Sequence, residues 1–179
     1  MKRKKTIVLG VSGSIASYKA ADLVSSLGKK GCEVFVVMTK EAIEFISPLT
    51  LQTLSGNRVY SDMFEIPEEW DAKHISLAKR ADLILLAPAT ANVIGKLAGG
   101  ICDSLLCCTV IASKAPVLIA PAMNDVMYNN KIVQENISKL KKIGYKFIGP
   151  RVGRLACGYE AIGCMSDVAD IIKAAGKIL

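Results

Sequence analysis

The feature that most constrains this chain is a set of apolar runs that do not alternate with polar residues. KKTIVLGV (4–11), CEVFVVMT (32–39), DLILLAP (82–88), APVLIAP (115–121) and YKFIGP (145–150) are short, and the first four are dense in aliphatic side chains. A strand with one wet face alternates apolar and polar positions, whereas a strand buried on both faces need not. Between these runs the period becomes helical. SGSIASYKAADLVSSLGKKG (12–31) sets Ala16, Ala20, Leu23, Val24 and Leu27 at helical spacing and stops on Gly31. NNKIVQENISKLKKIG (129–144) does the same with Ile132, Val133, Ile137 and Leu140. Buried strands alternating with helices imply a parallel sheet covered on both faces. The expected fold class is therefore α/β, a single Rossmann-like (flavodoxin-like) three-layer domain.

The remaining segments are weaker. KEAIEFISPLTLQTLSG (40–56) reads as two short helical pieces separated near Pro48. NRVYSDMFEIPEEWDAK (57–73) has no period and reads as a loop with room for one short strand. HISLAKRA (74–81) is a helix of one or two turns, and ATANVIGKLAGGICDSLLCCTVIASK (89–114) is a helix, a Gly-Gly break and a second helix. RVGRLACGYEAIGCM (151–165) reads as a Gly-rich loop, and SDVADIIKAAGKIL (166–179) as a last helix with a Ser–Asp start. With no repeat, low-complexity run or linker, one domain over 1–179 is expected.

Hydrophobic residues make up 51% of the chain, high for a soluble monomer. A densely buried sheet and an apolar surface covered by a partner subunit both account for this, and both are expected together. The net charge of +7, part of it in MKRKK, suits a phosphate-bearing ligand. No basic stripe is interleaved with aromatics, so nucleic acid is not expected as a partner. TIVLGV is too short for the core of a secretory leader and no long uncharged apolar stretch follows, so neither leader nor membrane span is expected. The cytoplasm is then the default location, with thiols reduced. The six cysteines form no C-x-x-C pair and the chain has one histidine, so no metal site is expected.

Parallel sheets bind ligands outside the carboxyl ends of their strands. Here those ends are GVSGS, VMTK, LAPATAN, APAMN and GPRVG. GVSGSIASYK (10–19) offers Ser12, Gly13 and Ser14 at a helix start, where glycine backbone, hydroxyls and the helix terminus would suit a phosphate. A strand–helix turn that merely needs small residues reads the same way. The pattern is neither G-x-G-x-x-G nor a P-loop, and the second strand ends in Met-Thr-Lys rather than an acidic residue. NAD is disfavoured, and a mononucleotide such as FMN fits better. Thr90 and Asn92 would offer donors and acceptors above the sheet, although an N-cap by Thr90 explains that residue equally well.

In PAMNDVMY (121–128), Asn124 interrupts an apolar segment and marks either a strand end or the wall of a site. His74 is the lone histidine; its titration range suits proton transfer, but a lone histidine is more often structural or exposed. Cys157, in the non-helical LACGYE, is either a proton donor on a loop or an incidental thiol.

Taken in order, SGSIASYKAADL, HISLAKRAD, LAPATANVIGKLAGGICDSLL, PAMNDVMY and RLACGYEAIGCM resemble the flavin-containing cysteine decarboxylases across essentially the whole chain. The branch nearest in sequence acts on 4′-phosphopantothenoylcysteine in coenzyme A biosynthesis. The resemblance implies FMN contacts at Ser12, Gly13, Ser14 and Ile15, at Thr39 and Lys40, at Thr90, Ala91, Asn92 and Val93, and at Ala122. It implies that Asn124, with Met127 beside it, binds the carboxylate–cysteine end of the substrate. His74 matches the family's active-site histidine, and Cys157 matches the cysteine of a substrate-covering flap that acts as the acid in the final reduction. The implied chemistry oxidises the cysteine moiety to a thioaldehyde, releases carbon dioxide, and reduces the enethiolate to 4′-phosphopantetheine. One departure is visible: the signature P-x-M-N-x-x-M-W ends here in Tyr128, which keeps an aromatic ring. Family members are trimers or larger assemblies of trimers, up to a dodecamer, with the flavin at the interface. A homo-oligomer is therefore implied, with His74 and Asn124 acting across a subunit boundary. A fused or separate phosphopantothenate–cysteine ligase is an implied partner. Decarboxylases of lantibiotic peptides, which stop at the enethiol, and flavin-binding regulatory subunits without activity are the alternatives. Cys157 disfavours the first, and the joint presence of His74, Asn124 and Cys157 disfavours the second.

Overall fold

The computed structural model describes residues 3–64 and 72–179. In chain order it forms β1 (Thr6–Val11), a 3-10 turn (Ile15–Tyr18), α1 (Lys19–Lys29), β2 (Glu33–Met38), α2 (Lys40–Ile43), α3 (Pro48–Ser55), β3 (Val59–Tyr60), α4 (Lys73–Arg80) and β4 (Leu83–Ala89). There follow α5 (Ala91–Gly99), α6 (Leu105–Ala112), β5 (Val117–Pro121), α7 (Asp125–Asn129), α8 (Lys131–Lys142), β6 (Lys146–Phe147), β7 (Arg151–Arg154), β8 (Glu160–Cys164) and α9 (Val168–Gly176).

The unalternating runs become the centre of a parallel sheet ordered β3-β2-β1-β4-β5-β6. Successive side chains of a strand point to opposite faces, and both faces here are dry. Ile7, Leu9 and Val11 of β1, with Leu83 and Leu85 of β4, pack under Leu23, Val24 and Leu27 of α1 and Ile171 and Ile172 of α9. Val8, Ile84 and Leu86 point the other way, against Ile94 and Leu97 of α5, Leu106 and Val110 of α6, and Leu140 of α8. Gly10 leaves room on that second face: a Cβ there would press on the Leu106 and Leu86 side chains. Among the described residues no helix is long and apolar enough to cross a membrane.

Helix starts follow local chemistry. Ser47 accepts from the Leu49 amide with Pro48 in the first turn of α3, Thr90 caps α5, and Ser104 caps α6 after the Gly-Gly break. Gly100 closes α5 with φ 70, a conformation that suits glycine.

Two segments differ from the sequence reading. Residues expected as a Gly-rich loop form an antiparallel hairpin of β7 and β8, paired from Arg151↔Cys164 to Arg154↔Glu160. Its glycines and arginines carry no strand signal, so the pairing was invisible to pattern. The expected strand 145–150 shrinks to two residues, because Gly149 turns the chain with φ 74. The short strand allowed for within 57–73 is β3 (Val59–Tyr60) at the sheet edge, while 65–71 of that segment lie outside the described residues.

The strand order has one functional consequence. From β1 the chain builds outward through β2 to β3, then returns to place β4 on the other side of β1. At such a switch point the loops after the two central strands diverge and open a crevice.

Candidate active site

A cavity of about 810 Å³ fills that crevice. Gly13, Ser14 and Ile15 after β1, Thr39 after β2, and Thr90 to Val93 after β4 form one wall. Ala122, Met123, Asn124 and Met127 after β5 form another. The β7–β8 hairpin lies across them and contributes Arg154 to Cys157 and Gly163 to Met165.

The first wall is built for a ligand with polar oxygens. The Thr39 hydroxyl is buried on a cavity-lining residue with no partner at good hydrogen-bond geometry; after the Glu41 backbone amide, it is the next group that draws the Glu41 carboxyl below its usual range. Gly13 backs directly onto α2, where a Cβ would collide with the Cβ of Glu41. The Thr90 hydroxyl accepts from the Val93 amide at 3.4 Å, so Thr90 is both a cap and a wall residue. The start of α5 faces the cavity, and a helix N-terminus favours an anion. Lys19, Arg154 and Arg151, the last paired with Asp167 at 3.0 Å, also line the space, with Glu41 the one carboxylate on the lining among the described residues. These features fit a phosphorylated mononucleotide. Among the described residues no three His, Cys, Asp or Glu side chains gather as metal ligands would.

The second wall carries a polar network. Asn124 caps α7, its Oδ1 accepting from the Val126 amide at 2.9 Å. Its Nδ2 donates to the Tyr159 hydroxyl at 3.1 Å and points at the Cys157 sulfur at 3.7 Å. Tyr159 donates in turn to Asp125 Oδ1 at 2.6 Å. That bond is the main reason the Tyr159 phenol is pushed up to about 12, since ionisation would set a phenolate against the Asp125 carboxylate. Gly163 anchors the hairpin: its carbonyl accepts from the Met123 amide at 3.1 Å, and with φ 145 a Cβ there would collide with the Met123 carbonyl.

Most of the expected residues meet here, and three lie elsewhere. Ser12 is buried behind the loop. Its hydroxyl donates to the Pro88 carbonyl at 2.8 Å and accepts from the Thr90 amide at 3.0 Å, so it clamps the two crevice loops rather than facing a ligand. Lys40 opens α2 with an exposed side chain, and its neighbour Glu41 lines the cavity instead. His74 sits in the first turn of α4, half-buried and off this cavity's lining, on a helix that packs against α6. Tyr128 is also off the lining; it packs on the core face shared with α5 and α8, and its carbonyl accepts from the Gln134 side chain. Its exchange for tryptophan therefore alters packing beneath this cavity rather than the cavity wall. The sequence reading missed Tyr159 and Asp125, which meet across 34 residues and share no periodic signal.

A parallel sheet of Rossmann order with an anion-suited crevice at its switch point defines the nucleotide-binding α/β class. Within that class the chain belongs to the Flavoprotein family, whose model matches residues 1–178. It is 50% identical over 177 residues to the coenzyme A biosynthesis bifunctional protein CoaBC of Bacillus subtilis, covering 99% of this chain but 44% of that protein. It thus spans less than half the length of the bifunctional relatives it matches. A probable phosphopantothenoylcysteine decarboxylase of Streptococcus mutans is matched almost end to end, 50% identical over 94% of this chain and 96% of that one. Among solved structures, a PPC decarboxylase mutant complexed with pantothenoylaminoethenethiol superposes with a TM-score of 0.86 at 32% identity, over 98% of both chains. The FMN binding protein AtHal3 gives 0.84 at 32% identity, over 98% of this chain and 96% of that one.

Gly13→Ala is expected to weaken flavin binding by at least about tenfold in a protein that still folds, because the new methyl forces the loop off Glu41 and into the cradle. The flavin-to-protein absorbance ratio after purification and titration measures it; an unchanged affinity would show that this loop holds no flavin.

Proposed function

We propose that this chain decarboxylates the cysteine carboxylate of 4′-phosphopantothenoylcysteine to give 4′-phosphopantetheine in coenzyme A biosynthesis, with FMN held in the cavity. The observation that carries the reading is the Asn124 amide set 3.7 Å from the Cys157 thiol over a cavity whose opposite wall suits a phosphate. The end-to-end similarity to a probable phosphopantothenoylcysteine decarboxylase supports the substrate.

FMN, when bound, supplies the two-electron chemistry that makes the carboxylate a leaving group and then saturates the product. Gly13, Ser14, Ile15 and Thr39, with the start of α5, would hold it. Asn124 donates to the substrate carboxylate and so fixes the cysteine end against the flavin wall. Cys157 supplies a proton from the hairpin, which also shields the site from water. His74 lies off this cavity's lining, and its proposed place of action is a neighbouring subunit's site. Ile15, 60% exposed at the cavity wall, together with Tyr18 and Ile101 gives apolar surface for such a homo-oligomer, a trimer in this reading. A fused or separate phosphopantothenate–cysteine ligase, as in the bifunctional relatives, is the proposed partner that supplies the substrate, and the cytoplasm the proposed location.

The test is turnover. Purified protein loaded with FMN is expected to release carbon dioxide from phosphopantothenoylcysteine and yield a saturated thiol, with flavin absorbance bleached and recovered each cycle. A protein that takes up no flavin, or a product that remains an enethiol, overturns the reading. A His74→Asn variant with full activity would remove the imidazole from it.

A further inference from the structure

The hairpin that carries Cys157 is fastened to the α7 start by a hydroxyl that the catalytic reading leaves unused. Asn124 has one carbonyl and two N–H donors. The helix cap consumes the carbonyl at 2.9 Å and thereby settles which end of the amide faces the hairpin. One N–H then goes to the Tyr159 oxygen at 3.1 Å, and the other is directed at the Cys157 sulfur at 3.7 Å. Tyr159 completes the bridge by donating to Asp125 Oδ1 at 2.6 Å. A thiol is a weak acceptor and a phenol bonded to a carboxylate a strong partner, so these two donors are unequal.

We propose that Tyr159 is a positioning residue: it latches the hairpin onto Asn124 and Asp125, and leaves the Asn124 N–H that faces Cys157 as the one a substrate carboxylate takes. The substrate then enters by displacing the weak sulfur contact, which puts its carboxylate beside the thiol that supplies the proton. The phenolic hydrogen stays on Asp125 and screens that carboxylate from the arriving one. The substrate half of this statement rests on the proposed decarboxylation; the latch half does not.

The latch is read by amide hydrogen exchange of the hairpin peptide around Leu155 and Gly158 in FMN-loaded protein, followed by mass spectrometry; these amides are bonded within the hairpin, whereas the Cys157 thiol is itself exposed. Tyr159→Phe removes only the hydroxyl and is expected to raise exchange there about tenfold, the size of one charge-assisted hydrogen bond. Asp125→Ala is expected to act likewise, and Asp125→Asn, which keeps an acceptor oxygen, to restore most of the protection. The amides of β1 and β4, in the middle of the parallel sheet, serve as the internal control and are expected to exchange at the wild-type rate in every variant. Wild-type exchange of the hairpin in whichever of Tyr159→Phe and Asp125→Ala folds overturns the latch, as does an equal rise in β1 and β4. In steady-state assays Tyr159→Phe is expected to raise KM for phosphopantothenoylcysteine more than it lowers kcat; a fall confined to kcat overturns the placement of the carboxylate. Wild-type protein inactive on that substrate would remove the decarboxylase reading and leave the exchange result standing.

Discussion

Asn124→Asp is expected to lower kcat/KM on phosphopantothenoylcysteine by at least about a hundredfold while leaving thermal stability and flavin content close to wild type. The variant keeps the cap of this side chain and removes its donors. Aspartate keeps an oxygen for the Val126 amide, and a negative charge at the start of a helix is favourable, so the cap survives. Both N–H donors are lost, the one to the Tyr159 hydroxyl as well as the one proposed for the substrate. A hydrogen bond to a charged group is worth about 1.5–3 kcal/mol. In its place stands a carboxylate that repels the substrate's own, at about 4 kcal/mol for charges some 4 Å apart in a partly screened site. Either effect alone exceeds the roughly 1.4 kcal/mol of a tenfold change. Asn124→Ala should differ by losing the cap as well, with a lower melting temperature. Steady-state kinetics and thermal melts of the two variants measure the contrast; Asn124→Asp within threefold of wild type would take the carboxylate away from Asn124.

Gly163→Ala is expected to cut kcat/KM by about ten- to a hundredfold with flavin still bound. The residue sits at φ 145, where a side chain is strained by about 1–3 kcal/mol. The new methyl would also strike the Met123 carbonyl, a backbone atom that cannot rotate away. The cheapest relief is for β8 to lift off the β5 end, which breaks the bond between the Met123 amide and the Gly163 carbonyl and carries Cys157 away from Asn124. The wall proposed to hold flavin, on the loops after β1, β2 and β4, is untouched by that movement. Kinetics with a flavin absorbance check on the same sample distinguish the outcomes. Loss of flavin together with activity would mean that the hairpin builds the cofactor wall after all.

The parts of this molecule legible in sequence are those where burial dictates residue type over several consecutive positions. The runs at 6–11 and 83–89 had to be strands of a covered sheet, and the small residues after them had to be where it opens. Ser12 shows the limit of that logic. A serine in a turn of small residues reads as a ligand donor, and only three dimensions reveal that the Pro88 carbonyl and Thr90 amide have already claimed its hydroxyl. Lys40 is exposed while Glu41 lines the cavity for a related reason: one step along a helix start rotates a side chain by about 100°. The hairpin was hidden because its pairing depends on glycines, which pattern reads as loop. Tyr159 and Asp125 were illegible because neither has a local reason to be where it is; each is explained only by the other.

The placement of the hairpin outside the main sheet divides the molecule's labour along the chain. Every backbone segment of the wall proposed to hold flavin is also a strand or helix end of the core, and the Ser12 clamp ties two of them together. The hairpin over the cavity is one short excursion, residues 151–164, tied back chiefly through Met123, Asn124 and Asp125 after β5. An exchange of residues within that excursion changes what is held over the flavin without disturbing a single rung of the parallel ladder. Under the proposed function, one scaffold can in this way keep its cofactor while a different hairpin presents it with a different carboxylate.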